Sequence, residues 1–209
     1  MTSTQSKLVL ASSSPRRREM LENLGIQFEL QLPRPEAERP IPRHLPLVRL
    51  LQLLPQVSLG KAADVAGRCS GACLVVAADT VVYAQGQVLG EPGGGLIARQ
   101  HLQKLSGRNH RVLSAVTVAC SQSGRQVSHV ETTEVRFRHL EAEEIERYVA
   151  TGEPLDKAGS YGIQGLGGLL IDSIRGRYDN VVGFPLVTLE LLLQELGHSL
   201  YDFRRPPEC

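Results

Sequence analysis

Three arginines directly follow a serine-rich turn near the start of the chain, in the stretch "LASSSPRRREML" at residues 10–21. Ser14 and Pro15 are typical of a helix start, because serine caps free amide groups and proline fits the first turn. Cations are unfavourable at this end of a helix by about 0.3–1 kcal/mol each, since the helix dipole is positive there. Free amides and guanidinium groups both bind phosphate. The stretch therefore predicts an anion site that includes Ser14, Arg16 and Arg17; the alternative is a solvated basic patch.

A single acid interrupts the apolar run "LVVAADTVVY", where Asp79 and Thr80 separate two strand-like segments. A buried ionised carboxylate is unfavourable unless it is paired, hydrogen-bonded or metal-bound. The ends of strands in α/β sheets carry ligand-binding groups. At such a position Asp79 would bind a divalent metal ion or orient an attacking water molecule. The alternative is an aspartate that caps a turn.

A third cluster is the glycine-rich stretch "GEPLDKAGSYGIQGLGG" at residues 152–168. Its glycines allow the backbone to approach a ligand closely. Lys157 offers a phosphate a positive charge, and the amide of Gln164 is able to read the edge of a base. The spacing does not fit the dinucleotide-binding pattern GxGxxG followed by a helix. A plain surface loop is the alternative, and Lys61 in "GKA" is likewise either a ligand or a solvated side chain.

The composition is that of an ordinary globular protein and restricts the class of function. Of the 209 residues, 42% are hydrophobic and 22% are charged, and the net charge is +1. A general nucleic-acid-binding protein is far more basic, so no nucleic-acid partner is expected and any anion site is local. The four cysteines form no CxxC pair and are interpreted as reduced thiols. No apolar run reaches about 18 residues and no signal-peptide pattern occurs, so we expect no membrane association and a cytoplasmic location.

Strand-like and helix-like segments alternate along the chain, which predicts an α/β architecture. Strand patterns occupy residues 7–11, 26–32, 73–79, 81–83, 110–120 and 125–138. Helical patterns occupy residues 15–24, part of 45–66, 95–105, 141–151 and 185–196. The turn "SQSG" at residues 121–124 predicts a hairpin, so the sheet is expected to be mixed rather than wholly parallel.

Prolines and the chain end mark the regions outside this pattern. Residues 33–46 contain five prolines and are predicted to form an extended surface loop. Pro55 is predicted to break or kink the helix that follows. Residues 1–201 are expected to form a single domain, and residues 202–209 a short flexible tail.

The order of the motifs resembles that of the Maf family of nucleotide pyrophosphatases. The segments that carry the likeness are "LASSSPRRREML", "GKA", "VVAADTVV", "KLSGRNHRV", "GEPLDKAGSYGIQGLGG" and "NVVGFPL". The likeness implies a two-lobed α/β fold, in which helices flank an elongated mixed sheet and the active cleft lies between the lobes. It also implies hydrolysis of a nucleoside triphosphate between its α and β phosphates, a divalent cation such as Mg²⁺ or Mn²⁺, and often a homodimer.

The resemblance assigns roles to individual residues. The resemblance implies Asp79 as the proton acceptor, and binding of the metal by the same carboxylate is the other role that its position in the sequence allows. Arg16, Thr80 and Gln164 match the branch that resembles dTTP/UTP pyrophosphatases, whereas the branch acting on 7-methyl-GTP has Trp, Gln and Glu at these places. A glutamine amide both donates and accepts hydrogen bonds, which suits uracil or thymine. The cations expected to hold the triphosphate are Arg16, Arg17, Lys61 and Lys157.

One departure from the family pattern changes the sign of a charge. Where the family usually has Glu-Lys-Pro, this chain has Gly90 and Glu91 before the proline. If that lysine contacts phosphate, losing a cation and gaining an acid removes several kcal/mol of transition-state stabilisation. Arg99 and Arg108 are the candidates to replace the missing cation.

A second departure is the proline-rich stretch at residues 33–56, where relatives have an acidic pair and an uninterrupted helix. Glu36 and Glu38 are the residues expected to correspond to that pair. The leading hypothesis is therefore a dTTP/UTP pyrophosphatase. The alternative hypothesis, motivated by both departures, is a catalytically weak nucleotide-binding regulator that retains the fold.

Overall fold

The computed structural model describes residues 6–205, and its centre is one seven-stranded mixed sheet. The strands are β1 (Lys7–Leu10), β2 (Glu29–Leu30), β3 (Cys73–Ala84), β4 (Gln87–Leu89), β5 (Asn109–Cys120), β6 (Gln126–Phe137) and β7 (Ile171–Arg175). The order across the sheet is β2-β1-β3-β5-β6-β7, and β4 pairs with the far end of β3. β1 is parallel to both β2 and β3, and all other pairs are antiparallel.

In the described part of the chain, six helices cover the two faces of the sheet. They are α1 (Pro15–Asn23), α2 (Leu47–Ala66), α3 (Gly95–Leu105), α4 (Ala142–Ala150), α5 (Tyr178–Val182) and α6 (Leu186–Glu195). Short 3-10 turns occupy Pro35–Ala37, Glu153–Asp156, Ala158–Ser160, Leu166–Leu170 and Leu200–Phe203. None of the helices within residues 6–205 combines the length and the apolar character that crossing a membrane requires.

The alternation of side chains along β3 divides the core into two lobes. On one face, Leu74 and Val76 pack with residues of α1 and α6, and further along Val82 packs with residues of α3 and α4. On the opposite face α2 covers both lobes, with its two ends packed against separate clusters. Asp79 and Thr80 are the partly exposed pair between these clusters. The sheet therefore carries them into the space between the lobes.

The predicted helices and the predicted hairpin are confirmed, but two strand predictions are wrong. Residues 73–79 and 81–83 form one strand, because β5 pairs with β3 without interruption from Leu74 to Tyr83. The predicted strand at 26–32 is reduced to the two residues of β2. The strands β4 and β7 and the helix α5 were not predicted; they are three, five and five residues long, too short for a clear periodicity.

The helix α2 runs through Pro55 without ending, so the predicted break does not occur. Packing explains this, since Leu54 and Val57 on either side of the proline are buried against the sheet. Residues 33–46 are mostly exposed and irregular apart from the turn Pro35–Ala37, in agreement with the predicted surface loop.

The packed part of the chain continues beyond the predicted boundary at residue 201. Phe203 is buried in the cluster formed by α1 and α6, and Arg204 forms a β-bridge with Ile26. The predicted flexible tail is therefore wrong for residues 202–205, because apolar burial and backbone bonds fix them. Residues 206–209 lie outside the described part of the chain.

Candidate active site

A cleft of about 1030 Å³ opens where β1 ends and β3 continues. Its walls come from the start of α1, the proline-rich segment (residues 33–46), the middle of β3 and the glycine-rich loop (residues 152–168). The eight residues that the sequence predicts to bind substrate or to act in catalysis all line this cleft: Ser14, Arg16, Arg17, Lys61, Asp79, Thr80, Lys157 and Gln164. Segments that are distant in the sequence therefore meet at one site.

Arg17 is buried in the cleft floor, where its guanidinium group binds four protein groups. It donates to Ala78 O at 2.8 Å and, at 3.0 Å each, to Ser12 Oγ, Gly183 O and Thr80 Oγ1. Burial lowers the pKa of Arg17 to about 10, which leaves it charged at neutral pH. A guanidinium group has five N–H donors, so a single one remains for a ligand.

The end of β1 explains why an arginine is needed there. Ala11 N donates to Val76 O at 2.7 Å, just beyond β1. Carbonyl groups two residues apart on a strand face the same side, so Ala78 O faces the space that β1 no longer fills. Arg17 supplies the donor that a longer β1 would supply, and its first role is to hold α1 against β3.

The other two arginines of the opening motif have different surroundings. Arg16 reaches across the cleft to the glycine-rich loop, where it lies 3.3 Å from Asp156 Oδ2 and donates to Asp156 O at 3.4 Å. Arg18 faces solvent and pairs with Glu22 at 3.6 Å within α1. Ser14 is the N-cap residue, but its side chain makes no capping bond, and its own N–H donates to Ser12 Oγ at 3.2 Å.

Asp79 and Thr80 are adjacent on β3 and point to opposite faces of the sheet. Asp79 Oδ1 accepts from Thr80 N at 3.1 Å, and Asp79 Oδ2 lies 3.5 Å from Lys61 Nζ on α2. The Thr80 hydroxyl bonds Ser114 Oγ at 2.8 Å and Gly183 O at 3.2 Å, besides accepting from Arg17. Its hydrogen-bonding capacity is therefore used within the protein. Asp79 is about one quarter exposed and keeps lone pairs open to the cleft.

A second carboxylate lies near Asp79. Lys61 Nζ is 4.0 Å from Glu38 Oε1, so Glu38 and Asp79 flank the same ammonium group. The Lys61 side chain is 14% exposed, which excludes the freely solvated lysine that the sequence alone allows. Within residues 6–205 no cluster of three or more His, Cys, Asp or Glu side chains is able to hold a metal by itself. Two neighbouring carboxylates do suit Mg²⁺, which takes one or two protein carboxylates and completes its shell with phosphate oxygens and water.

Glu153 organises the glycine-rich loop, a role that the sequence did not indicate. It accepts from Leu166 N at 2.9 Å, Gly167 N at 3.0 Å and Tyr148 Oη at 2.9 Å. Burial acts to raise its pKa, but these donors outweigh burial and the pKa of Glu153 is lowered. Gly165 packs so closely that an added Cβ would lie 2.5 Å from Glu153 Oε2. The glycines of this loop therefore serve internal packing as well as ligand approach.

The two loop residues with predicted ligand roles differ in their bonding. Lys157 Nζ donates to Glu153 O and Asp156 Oδ1, both at 2.7 Å. Burial acts to raise the pKa of Asp156, but the pairing with Lys157 outweighs it and the pKa is lowered. Gln164 is exposed at the cleft, and its amide has no hydrogen-bond partner among residues 6–205. Gln164 thus has its full donor and acceptor capacity available.

The predicted replacements for the family lysine do not reach this site. Arg99 binds Glu146 at 2.6 Å, and Arg108 donates to Lys104 O at 3.4 Å; neither lines the cleft. Glu91 does line the cleft and is exposed. The charge reversal is therefore not compensated by these two arginines.

The fold and the site define this chain as a member of the Maf family. The family model described as "Maf-like protein" matches residues 7–196. Individual proteins similar to this chain have names that state a specific activity. A dTTP/UTP pyrophosphatase of Moorella thermoacetica is 50% identical over 197 residues, covering 94% of this chain and 98% of that protein. A dTTP/UTP pyrophosphatase of Dictyoglomus thermophilum is 41% identical, and the match covers 93% of this chain and 98% of that protein. A dTTP/UTP pyrophosphatase of Vibrio cholerae is 44% identical, and the match covers 92% of this chain and 99% of that protein.

Proposed function

We propose that this protein hydrolyses dTTP and UTP to the nucleoside monophosphate and pyrophosphate. The observation that carries the proposal is the carboxylate of Asp79, which lies partly exposed between two lobes in a cleft lined by cations. Relatives with 41–50% identity over nearly the whole chain bear the name of this activity, which supports the same conclusion.

Asp79 is the group that binds and deprotonates the attacking water molecule. One carboxylate oxygen is held by Thr80 N, which orients the other toward Lys61 and the cleft. A water molecule bound to that oxygen is positioned and deprotonated for in-line attack on the α-phosphorus, and pyrophosphate leaves. Lys61 then stabilises the negative charge that develops on the phosphoryl oxygens.

Arg16 and Lys157 hold the triphosphate from opposite sides of the cleft. Without a ligand both are paired with Asp156. A triphosphate carries more negative charge than one carboxylate, so it competes with Asp156 for the two cations. Arg17 contributes mainly by fixing the position of α1.

A divalent cation fits beside Asp79 and Glu38, the two carboxylates that flank Lys61. When bound with the nucleotide, Mg²⁺ or Mn²⁺ supplies charge neutralisation of the phosphate oxygens. The two carboxylates hold such an ion only in part, since the phosphates and water provide its remaining ligands.

Gln164 is the residue that selects the base. Its unengaged amide is able to donate to a carbonyl oxygen and to accept from the ring N–H of uracil or thymine. The Thr80 hydroxyl has its partners within the protein, so its part in selectivity is to shape the cleft floor through Arg17 and Gly183. The homodimer and the cytoplasmic location expected from the sequence stay predictions.

The alternative function is a nucleotide-binding regulator with weak turnover. Glu91 favours it, because an exposed carboxylate at the cleft opposes an anionic substrate. Both candidate functions predict that the protein binds the nucleotide, but only the enzyme is expected to release pyrophosphate at a substantial rate.

A nucleotide panel separates them. Purified protein is incubated with dTTP, UTP, CTP and 7-methyl-GTP plus Mg²⁺ or Mn²⁺, and pyrophosphate release is measured. The matched control for Asp79→Asn is Asp172→Asn, which removes an exposed acid outside the cleft. Release from dTTP and UTP that Asp79→Asn abolishes and Asp172→Asn retains supports the enzyme. Binding of dTTP without release supports the regulator, and neither binding nor release refutes both.

A further inference from the structure

Among residues 6–205, six cations line the cleft, and four of them already have protein partners. Arg16 and Lys157 share Asp156, Lys61 pairs with Asp79, and Arg17 binds four protein groups, as described above. The remaining two are Arg39 and Arg43 of the proline-rich segment. Neither side chain makes a hydrogen bond or an ion pair with any group in the described part of the chain. These two cations thus carry positive charge that no carboxylate neutralises locally.

The proline-rich segment is firmly attached where it carries these arginines. Ile41, between them, packs against the cluster around Leu50 and Leu54 of α2. Val88 N donates to Arg43 O at 2.8 Å, which fixes the segment to β4. The backbone is anchored between the two arginines and at Arg43 itself, while both arginine side chains are exposed at the cleft. A fixed backbone with free charged ends is an arrangement suited to holding an anion.

The proline-rich segment also lies beside the part of the cleft wall that carries the charge reversal at Glu91. β4 (Gln87–Leu89) leads directly into Gly90 and Glu91, so the bond between Val88 and Arg43 brings the segment beside this part of the wall. On the other side, Gly159 N donates to Gly90 O at 3.2 Å and attaches the glycine-rich loop. The chain therefore has an acid at position 91 and two unpaired arginines on the neighbouring segment.

We propose that Arg39 and Arg43 bind the β- and γ-phosphates of the nucleotide. With the base at Gln164 in the glycine-rich loop and the α-phosphorus at Asp79, the rest of the triphosphate extends toward the α2 side of the cleft. Lys61 lies on α2, and the segment that carries the two arginines packs against α2 through Ile41. Because guanidinium groups bind phosphate oxygens in bidentate fashion, they supply the charge that Glu91 does not. This assignment rests on the proposed function, since it places a nucleoside triphosphate in the cleft.

Binding measurements with a ladder of nucleotides test the proposal independently of turnover. Dissociation constants are measured calorimetrically for dTMP, dTDP and a dTTP analogue with a non-hydrolysable α,β-methylene bridge. For Arg39→Gln/Arg43→Gln we expect analogue binding to weaken about tenfold to a hundredfold, while dTMP binding changes less than about twofold. The matched control is Arg49→Gln, which removes an exposed arginine of α2 whose side chain bonds only Gln52 among the described residues and does not line the cleft.

The charge at position 91 provides a second test. If the arginines replace a cation there, Glu91→Lys restores analogue affinity to the double arginine variant and has a smaller effect in the otherwise unchanged chain. The proposal is overturned if the double variant binds the analogue as tightly as the unchanged protein. It is also overturned if affinity falls equally for dTMP, or if Arg49→Gln produces the same loss. Absence of dTTP turnover by the unchanged protein would instead refute the proposed enzyme and leave this binding result standing.

Discussion

Removing the Arg17 side chain is predicted to destabilise the fold more than it weakens a phosphate contact. In Arg17→Met the aliphatic volume is kept, and the four hydrogen bonds to Ser12, Ala78, Thr80 and Gly183 are lost. Two of the acceptors are backbone carbonyls that the guanidinium group satisfies. Gly183 O keeps the hydrogen bond from the Thr80 hydroxyl at 3.2 Å, so Ala78 O is the carbonyl that loses its donor. Leaving one buried acceptor unpaired costs about 1–3 kcal/mol of the free energy of unfolding.

Urea unfolding followed by circular dichroism measures this loss, with Arg18→Met as the matched control on the same helix. Arg18 is half exposed and pairs with Glu22 at 3.6 Å, and a surface ion pair contributes about 0–1 kcal/mol. Arg17→Lys keeps the charge but not the forked geometry, so an intermediate loss is expected. If Arg17→Met unfolds at the same urea concentration as the unchanged protein and only loses nucleotide affinity, the structural role derived from these bonds is wrong.

Three further substitutions test the packing of the same fold. Burial lowers the pKa of His101 to about 4 and that of His110 to about 3. Between about pH 6.5 and 4 the unfolded chain therefore binds protons that the folded chain does not, and the free energy of unfolding falls by about 2 kcal/mol per histidine from pH 8 to pH 5. His101→Gln should flatten this dependence in urea titrations, and an unchanged slope would count against it. Gly159 (φ +70°) would place an added Cβ 2.7 Å from a β3 side chain, whereas Gly86 (φ +77°) has open space. In thermal unfolding Gly159→Ala should cost about 1–3 kcal/mol more than Gly86→Ala; equal losses would contradict the close packing. Pro55→Ala should stabilise the protein by about 1–3 kcal/mol, since it restores a helix donor; lower thermal stability would disprove this.

Periodicity predicted most of the fold because most elements are long enough to show it. The continuity of β3 was not predicted, since Asp79 and Thr80 look like a break when β5 is not known to pair across them. β4 and β7 depend on pairing with residues distant in the sequence. Such short edge strands have too few residues to be distinguished from loops in a single sequence.

The sequence predicted which residues form the site more completely than it predicted what each of them does. The three adjacent arginines lie about 100° apart around α1, so one points inward, one to the cleft and one to solvent. A signal for the inward one exists, because Arg17 and the buried Leu21 are four residues apart and share a face of the helix. The bonds of Glu153 to the glycine-rich loop, and the placement of Arg39 and Arg43, depend on tertiary contacts that no local pattern shows.

The position of bond cleavage tests the central claim most directly. dTTP is hydrolysed by the unchanged protein in ¹⁸O-labelled water with Mg²⁺, and the products are analysed by ³¹P nuclear magnetic resonance and mass spectrometry. Water activated at Asp79 and directed at the α-phosphorus predicts dTMP that carries the label and pyrophosphate that does not. Label in the pyrophosphate, or products of dTDP and inorganic phosphate, would contradict the account.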